Sequence, residues 1–154
     1  MVDMNEIKKS VLALDTNGKL LLFGGLVGVI ACFLEWRGTS GDIPMMGKIS
    51  QSGTGLLYGR LALIGLAVAC GTFIHQTWGK VDDAKLKLYP KLQLGGAGLG
   101  ALMAIWCWLA TDSIEGSGGG FGTSYGMWLA LLASLAATFG AFQAFKASQS
   151  QVSP

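Results

Sequence analysis

The chain has 154 residues, 51% of them hydrophobic and 13% charged, with a formal net charge of +2. Soluble domains carry about 25% charged residues, so this surface cannot be mostly wet, and a bilayer is the natural solvent. So small a net charge argues against nucleic acid as a partner, and the lysines are better explained as topology signals that also touch anionic lipid.

Between Asp3 and Asp15, Ile7, Val11, Leu12 and Leu14 fall near one helical face with Lys8 and Lys9 elsewhere. The pattern suits a short helix on the inner membrane surface or, equally, an amphipathic turn packed on a Lys-rich loop. Asn17-Gly18 reads as its stop signal, because both residues tolerate the left-handed conformation. Residues 1–18 are thus expected to form an N-terminal cytoplasmic segment.

Four apolar windows follow: Leu20 to Trp36, Leu61 to Gly79, Leu92 to Thr111, and Phe121 to Phe145. The last three hold no Asp, Glu, Lys or Arg over about 20 residues, enough to cross roughly 30 Å of hydrocarbon as a helix. The first is shorter and carries Glu35 near its end, where a carboxylate can sit among headgroups. Within it, Val29-Ile30-Ala31-Cys32 resembles a lipobox, but the charged stretch ahead is long for a leader, so the window is expected to be an uncleaved anchor.

The windows pair into membrane hairpins over residues 19–79 and 92–146. The first outer loop, 37–54, has an apolar group of Ile43, Met45, Met46 and Ile49 around Pro44, and is expected to fold as a compact hairpin or cap. Residues 80–91 form a Lys-rich cytoplasmic linker in which Pro90 starts the third span. The second outer loop, 112–120, has Gly116, Gly118, Gly119 and Gly120 and should turn tightly. Residues 147–154 are expected to be a free cytoplasmic tail.

The second hairpin repeats the first. Lys19, Leu20, Leu22, Gly24, Gly28 and Trp36 line up with Lys91, Leu92, Leu94, Gly96, Gly100 and Trp108, and Gly53-Thr54-Gly55 with Tyr58-Gly59 lines up with Gly120-Phe121-Gly122 with Tyr125-Gly126. The phrase lacks the strand and lysine of a phosphate loop and reads as a helix start. Each unit crosses the membrane twice, so the copies must be parallel, related by a pseudo-two-fold axis along the membrane normal. Lys8, Lys9, Lys19, Lys80, Lys85, Lys87, Lys91 and Lys146 place both termini in the cytoplasm by the positive-inside rule. The expected fold is an all-α membrane protein of four transmembrane helices from two tandem parallel hairpin repeats.

Lipid gives helices no hydrophobic reason to associate, so contact faces need small residues. Gly24/Gly28, Ala67/Gly71, Gly96/Gly100 and Ala136/Gly140 supply one such pair in every span. Tyr58, Tyr125, Trp36, Trp108 and Trp128 on the outer side and Trp78 on the inner side are read as interface anchors. Glu35 and Arg60, closing the outer ends of the first two spans, are expected to form an ion pair. Asp42, Asp112 and Glu115 read as a solvated acidic outer surface. His75 and Gln76 lie too shallow for a midplane relay, and His75 is expected to bond a carbonyl or water. Cys32, Cys70 and Cys107 fall inside spans at spacings that make neither a zinc site nor a disulfide framework.

The outward-ending Trp, Gly/Ser loop and Gly-rich start of a Leu-Ala-Leu span resemble uncharacterised bacterial tetraspan membrane proteins, and the topology is similar to the claudin-type four-helix group. The resemblance covers Lys19 to Lys146. The animal claudins' Trp-Gly-Leu-Trp phrase and loop cysteine pair are absent, so a cell-junction role does not carry over.

No nucleophile-base pair, metal cluster or cofactor fingerprint is visible, so neither enzymatic activity nor a cofactor is expected. The reading is a non-enzymatic multi-pass protein of the cytoplasmic (inner or plasma) membrane. Its partners would be membrane lipids and other membrane subunits or itself, and it would act by helix packing as an accessory or scaffold subunit or a self-assembling array. The alternatives are a small channel or lipid or small-molecule carrier, for which Thr72, Ser134 and Thr138 give only a thin polar stripe, and a pigment-associated subunit.

Overall fold

The computed structural model describes residues 4–39, 50–79, 87–115 and 121–150. The apolar group around Pro44, Asp42, Lys80, Lys85, the glycines from 116 to 120 and residues 151–154 lie outside them.

Helix α1 spans Met4–Ala13 and α2 spans Thr16–Ala31. The break falls at Asp15, not at the expected Asn17-Gly18. Asp15 is extended (φ −65°, ψ 169°) and its Oδ1 accepts the Gly18 N–H at 2.8 Å. That satisfies a donor with no partner inside the helix, so Asn17 and Gly18 are drawn into the first turn of α2. Val11 on α1 and Leu14 just beyond it pack on the bundle while Leu12 stays exposed.

Helix α2 also stops earlier than expected, at Ala31. The Phe33 N–H bonds the Ile30 carbonyl at 3.0 Å and the Leu34 N–H that of Ala31 at 3.1 Å, tightening the end into a 3-10-like turn. The chain then extends as β1, Glu35–Thr39, followed by β2, Ser50–Ser52, a 3-10 turn at Gly53–Gly55 and helix α3, Leu57–Trp78. Helix α4 covers Tyr89–Glu115, β3 covers Phe121–Thr123 and helix α5 covers Tyr125–Ser150. Relative to expectation, α3 begins a turn sooner, α4 reaches into the second outer loop, and α5 continues into the tail as far as Ser150.

Three of these helices, α3, α4 and α5, are long and apolar enough to cross a membrane. The distribution of side chains agrees. The interior is built from small residues, among them Ala62, Ala69, Ala97, Ala104, Ala130, Ala137 and Ala141, while Ile64, Leu102, Leu132 and Phe139 face outward. A water-soluble bundle would bury its large apolar residues and expose polar ones; here bulk faces out and backbones approach closely inside, as in helices solvated by lipid.

The helices form a ring in which α2 packs on α3, α3 on α4, α4 on α5 and α5 back on α2. Neighbours run antiparallel: α2 meets α5 with Asn17 near Gly140 and Gly24 near Ala133. At the end of the bundle where α2 finishes, β1 is the centre of a three-stranded antiparallel sheet, order β2-β1-β3. Arg37 is paired with Gln51 on one side and Thr123 on the other. The first loop's described strands β1 and β2 pair antiparallel, as a hairpin requires, and β3, from the start of the window read as the fourth span, completes the sheet.

Candidate functional site

Several glycines mark close approaches between helices. A Cβ at Gly24 on α2 would sit 2.7 Å from the Ala133 carbonyl oxygen and 2.8 Å from the Ala137 nitrogen on α5. On α4, a Cβ at Gly96 would sit 2.5 Å from the Gly65 carbonyl oxygen and 3.1 Å from the Ala69 nitrogen on α3. The two crossings are thus built alike, each setting a glycine on a carbonyl and on the nitrogen four residues further along the opposing helix. Gly28 and Gly100 both face Leu66, whose side-chain carbons lie 2.8 Å and 2.9 Å from where their Cβ atoms would be. Gly140 closes the opposite end, with Asn17 O at 2.5 Å and Leu21 N at 2.8 Å. Ala136 is half-buried.

Ala67 and Gly71 are not a contact face of this bundle, which corrects the expectation for α3. Both are exposed, and a Cβ at Gly71 would meet nothing within 4 Å. The pair in use is Gly65/Ala69, two positions earlier, and two residues rotate a helix by about 200°, to its other side. Gly95 and Gly98 on α4 likewise face open space.

At the sheet end, Trp36 also departs from expectation. Its side chain is 0% exposed, and Nε1–H donates to the Ala31 carbonyl at 2.8 Å. The cause is the early stop of α2: the Ala31 carbonyl accepts only the Leu34 N–H of the closing turn, keeps a second lone pair, and the extended chain folds the indole back over it. Gly53 lies on the ring, and no larger residue fits there: a Cβ would be 2.6 Å from Trp36 Nε1 and 2.5 Å from the Cys32 carbonyl oxygen. The Tyr-Gly steps of the repeated phrase do similar work. Gly59 abuts the Gly53 backbone, and a Cβ at Gly126 would be 2.5 Å from the Glu35 carbonyl oxygen. The Ser124 N–H then bonds the Trp36 carbonyl at 2.9 Å.

The other anchor residues lie nearer the surface. Tyr125, Trp108 and Trp128 are exposed at the sheet end, the two indoles 5.7 Å apart between centroids and tilted by 53°, and Tyr58 is half-buried. Trp78 is exposed at the opposite end, and Trp106, not singled out from the sequence, is exposed as well.

Arg60, expected to pair with Glu35, donates from Nε to the Thr54 carbonyl at 2.7 Å, holding the turn ahead of its own helix. Arg37 reaches inward: its Nη2 donates to the Cys107 carbonyl at 3.2 Å, while its buried Nε has no hydrogen-bond partner among the described residues.

At the other end, α3 and α4 share a polar patch. Gln93, 1% exposed, donates from Nε2 to Gln76 Oε1 at 2.7 Å, and His75 Nδ1 lies 3.1 Å from the Tyr89 hydroxyl. The sequence reading placed His75 and Gln76 near that boundary but gave His75 a carbonyl or water and overlooked Gln93. The three cysteines are free and buried. Among the described residues no group of three or more His, Cys, Asp or Glu side chains could hold a metal ion.

No protein-family model, curated protein or solved structure matches the chain. The fold and the packing thus speak through their chemistry alone: a helical membrane protein whose most specific features are glycine-tight crossings inside and small-residue faces outside.

Proposed function

We propose that the chain is a four-span protein of the cytoplasmic (inner or plasma) membrane that acts by association rather than catalysis, as an accessory or scaffold subunit of a larger membrane complex or as a self-assembling array. In this reading it consists of two tandem parallel hairpins with both termini in the cytoplasm. Support for the duplication comes from the like construction of the Gly24 and Gly96 crossings. Support for α2 as the fourth span comes from its outward face, where Phe23, Leu26, Val27, Ile30 and Phe33 are all exposed. Its 16 residues rise about 24 Å, short of the full hydrocarbon thickness, and the 3-10-like turn through Leu34 adds about 6 Å.

The observation that carries the associative reading is the open space before Gly71, Gly95 and Gly98. Glycine on a lipid-facing surface forgoes the dispersion contacts a larger side chain would make, and such positions are favoured where another helix comes close. Gentle detergent extraction followed by native mass spectrometry tests this. The expected result is a defined oligomer or a co-purifying membrane subunit, lost in Gly71→Leu or Gly95→Leu while thermal stability is kept. A monodisperse monomer without a companion overturns the reading.

A further inference from the structure

A groove of about 410 Å³ runs along the outside of the bundle between α2 and α5, within the roughly 300–1,000 Å³ of ordinary ligand sites. Small residues, Gly24 and Ala136 among them, form its floor, and Phe23 and Val27 stand on its rim. Among the described residues that line it, the polar side chains are Thr16 and Lys19, at the end occupied by the start of α2. From Thr16 to Val27 the helix rises about 16 Å, close to the roughly 15 Å of hydrocarbon in one leaflet. Lys19 has no ion-pair partner among the described residues, and the nearby Asp15 carboxylate is engaged by the Gly18 N–H.

A slot one leaflet long, apolar along its length and cationic at the end near the cytoplasm, matches an amphiphile better than a helix. A docked helix would need no cation at one end, and an anionic headgroup would. We propose that this groove binds one acyl chain of an anionic phospholipid from the inner leaflet, with the phosphate held at Lys19 and the Thr16 hydroxyl. The proposal rests on α2 spanning the bilayer as read above.

The test uses the full chain in mild detergent, offered phosphatidylglycerol or phosphatidylcholine and read by native mass spectrometry. One phosphatidylglycerol is retained in preference to phosphatidylcholine, and Lys19→Gln lowers that preference about fivefold. Ala136→Phe, which fills the floor, loses both lipids. Val27→Trp on the exposed rim does the same if the first variant fails to fold, and Leu132→Phe, exposed on α5 outside the groove, retains them. An unchanged lipid preference in Lys19→Gln, or full retention in the folded filling variants, overturns the proposal. So does an oligomer that dissociates in Ala136→Phe without lipid loss, which makes the groove a protein interface. Phe23→Cys in sealed vesicles separates the two readings. Reaction with a water-soluble maleimide removes the span itself, and with it the groove site, whereas protection without lipid selectivity removes only the groove site.

Discussion

Gly65 and Gly96 exclude side chains from each other: a Cβ built on either would lie 2.5 Å from the other's carbonyl oxygen. Gly96→Val therefore forces α3 and α4 apart and should cost about 1–3 kcal/mol or more, as overpacking does. Gly71→Ala, with nothing near its Cβ, should be neutral or stabilising by up to about 1 kcal/mol from helix propensity. Thermal unfolding in detergent compares the two, and equal losses would mean that the crossing does not depend on Gly96.

Trp36→Phe keeps most of the buried ring but deletes the Nε1–H that the Ala31 carbonyl accepts. That carbonyl keeps the Leu34 N–H, so the loss should be about 0.5–1.5 kcal/mol. Trp36→Ala removes the packing as well and should cost about 3–5 kcal/mol. Denaturant titration checks both the order and the gap between them.

The Gln76–Gln93 amide pair gives a double-mutant cycle. Either Leu substitution alone strands an amide between α3 and α4, and the double variant strands none. A coupling of about 0.6 kcal/mol is expected, with about 1.7 as the ceiling for such bonds in membrane bundles. Additive single effects would show that the two side chains act independently.

Ser124→Pro removes the N–H donated to the Trp36 carbonyl at 2.9 Å. Thr123 is already in a strand, which a following proline tolerates, so the loss should stay near 1 kcal/mol. Amide hydrogen exchange should rise along β1 and β3 first, before that of the helices.

Cys32, Cys70 and Cys107 are buried, so the folded protein should resist an aqueous maleimide and take up three labels on unfolding. Mass spectrometry counts them. Rapid native labelling at any one would locate a local opening.

Much of the architecture was legible because charge-free stretches of about 20 residues leave few alternatives. The rotation of α3 was not. Its sequence holds small residues on two sides, so Gly65/Ala69 and Ala67/Gly71 satisfy the same spacing, and only the opposing α4 backbone selects between them. Trp36 was misplaced because it was matched with Trp108; α2 stops short of Trp36, while α4 runs past Trp108. Phe121–Thr123 was read as part of a span because a strand this short has no pattern of its own, and its order comes from the free side of β1. Gly53, Gly59 and Gly126 stood inside the repeated phrase, and close backbone contact was the signal they carried.

Leu66 fills the middle of the bundle between Gly28 and Gly100; when Leu61-Ala62-Leu63 is matched with Leu129-Ala130-Leu131, one inserted residue past the Tyr-Gly step, its counterpart is Ser134, equally enclosed and bonded to the Leu131 carbonyl. Two identical hairpins would have to place the same residue at both spots, either crowding the centre twice or hollowing it twice. On the proposed duplication, joining the halves in one polypeptide frees each to specialise, one as plug and the other as socket, so two copies of the first half alone should make a poorer assembly than the natural unequal pair.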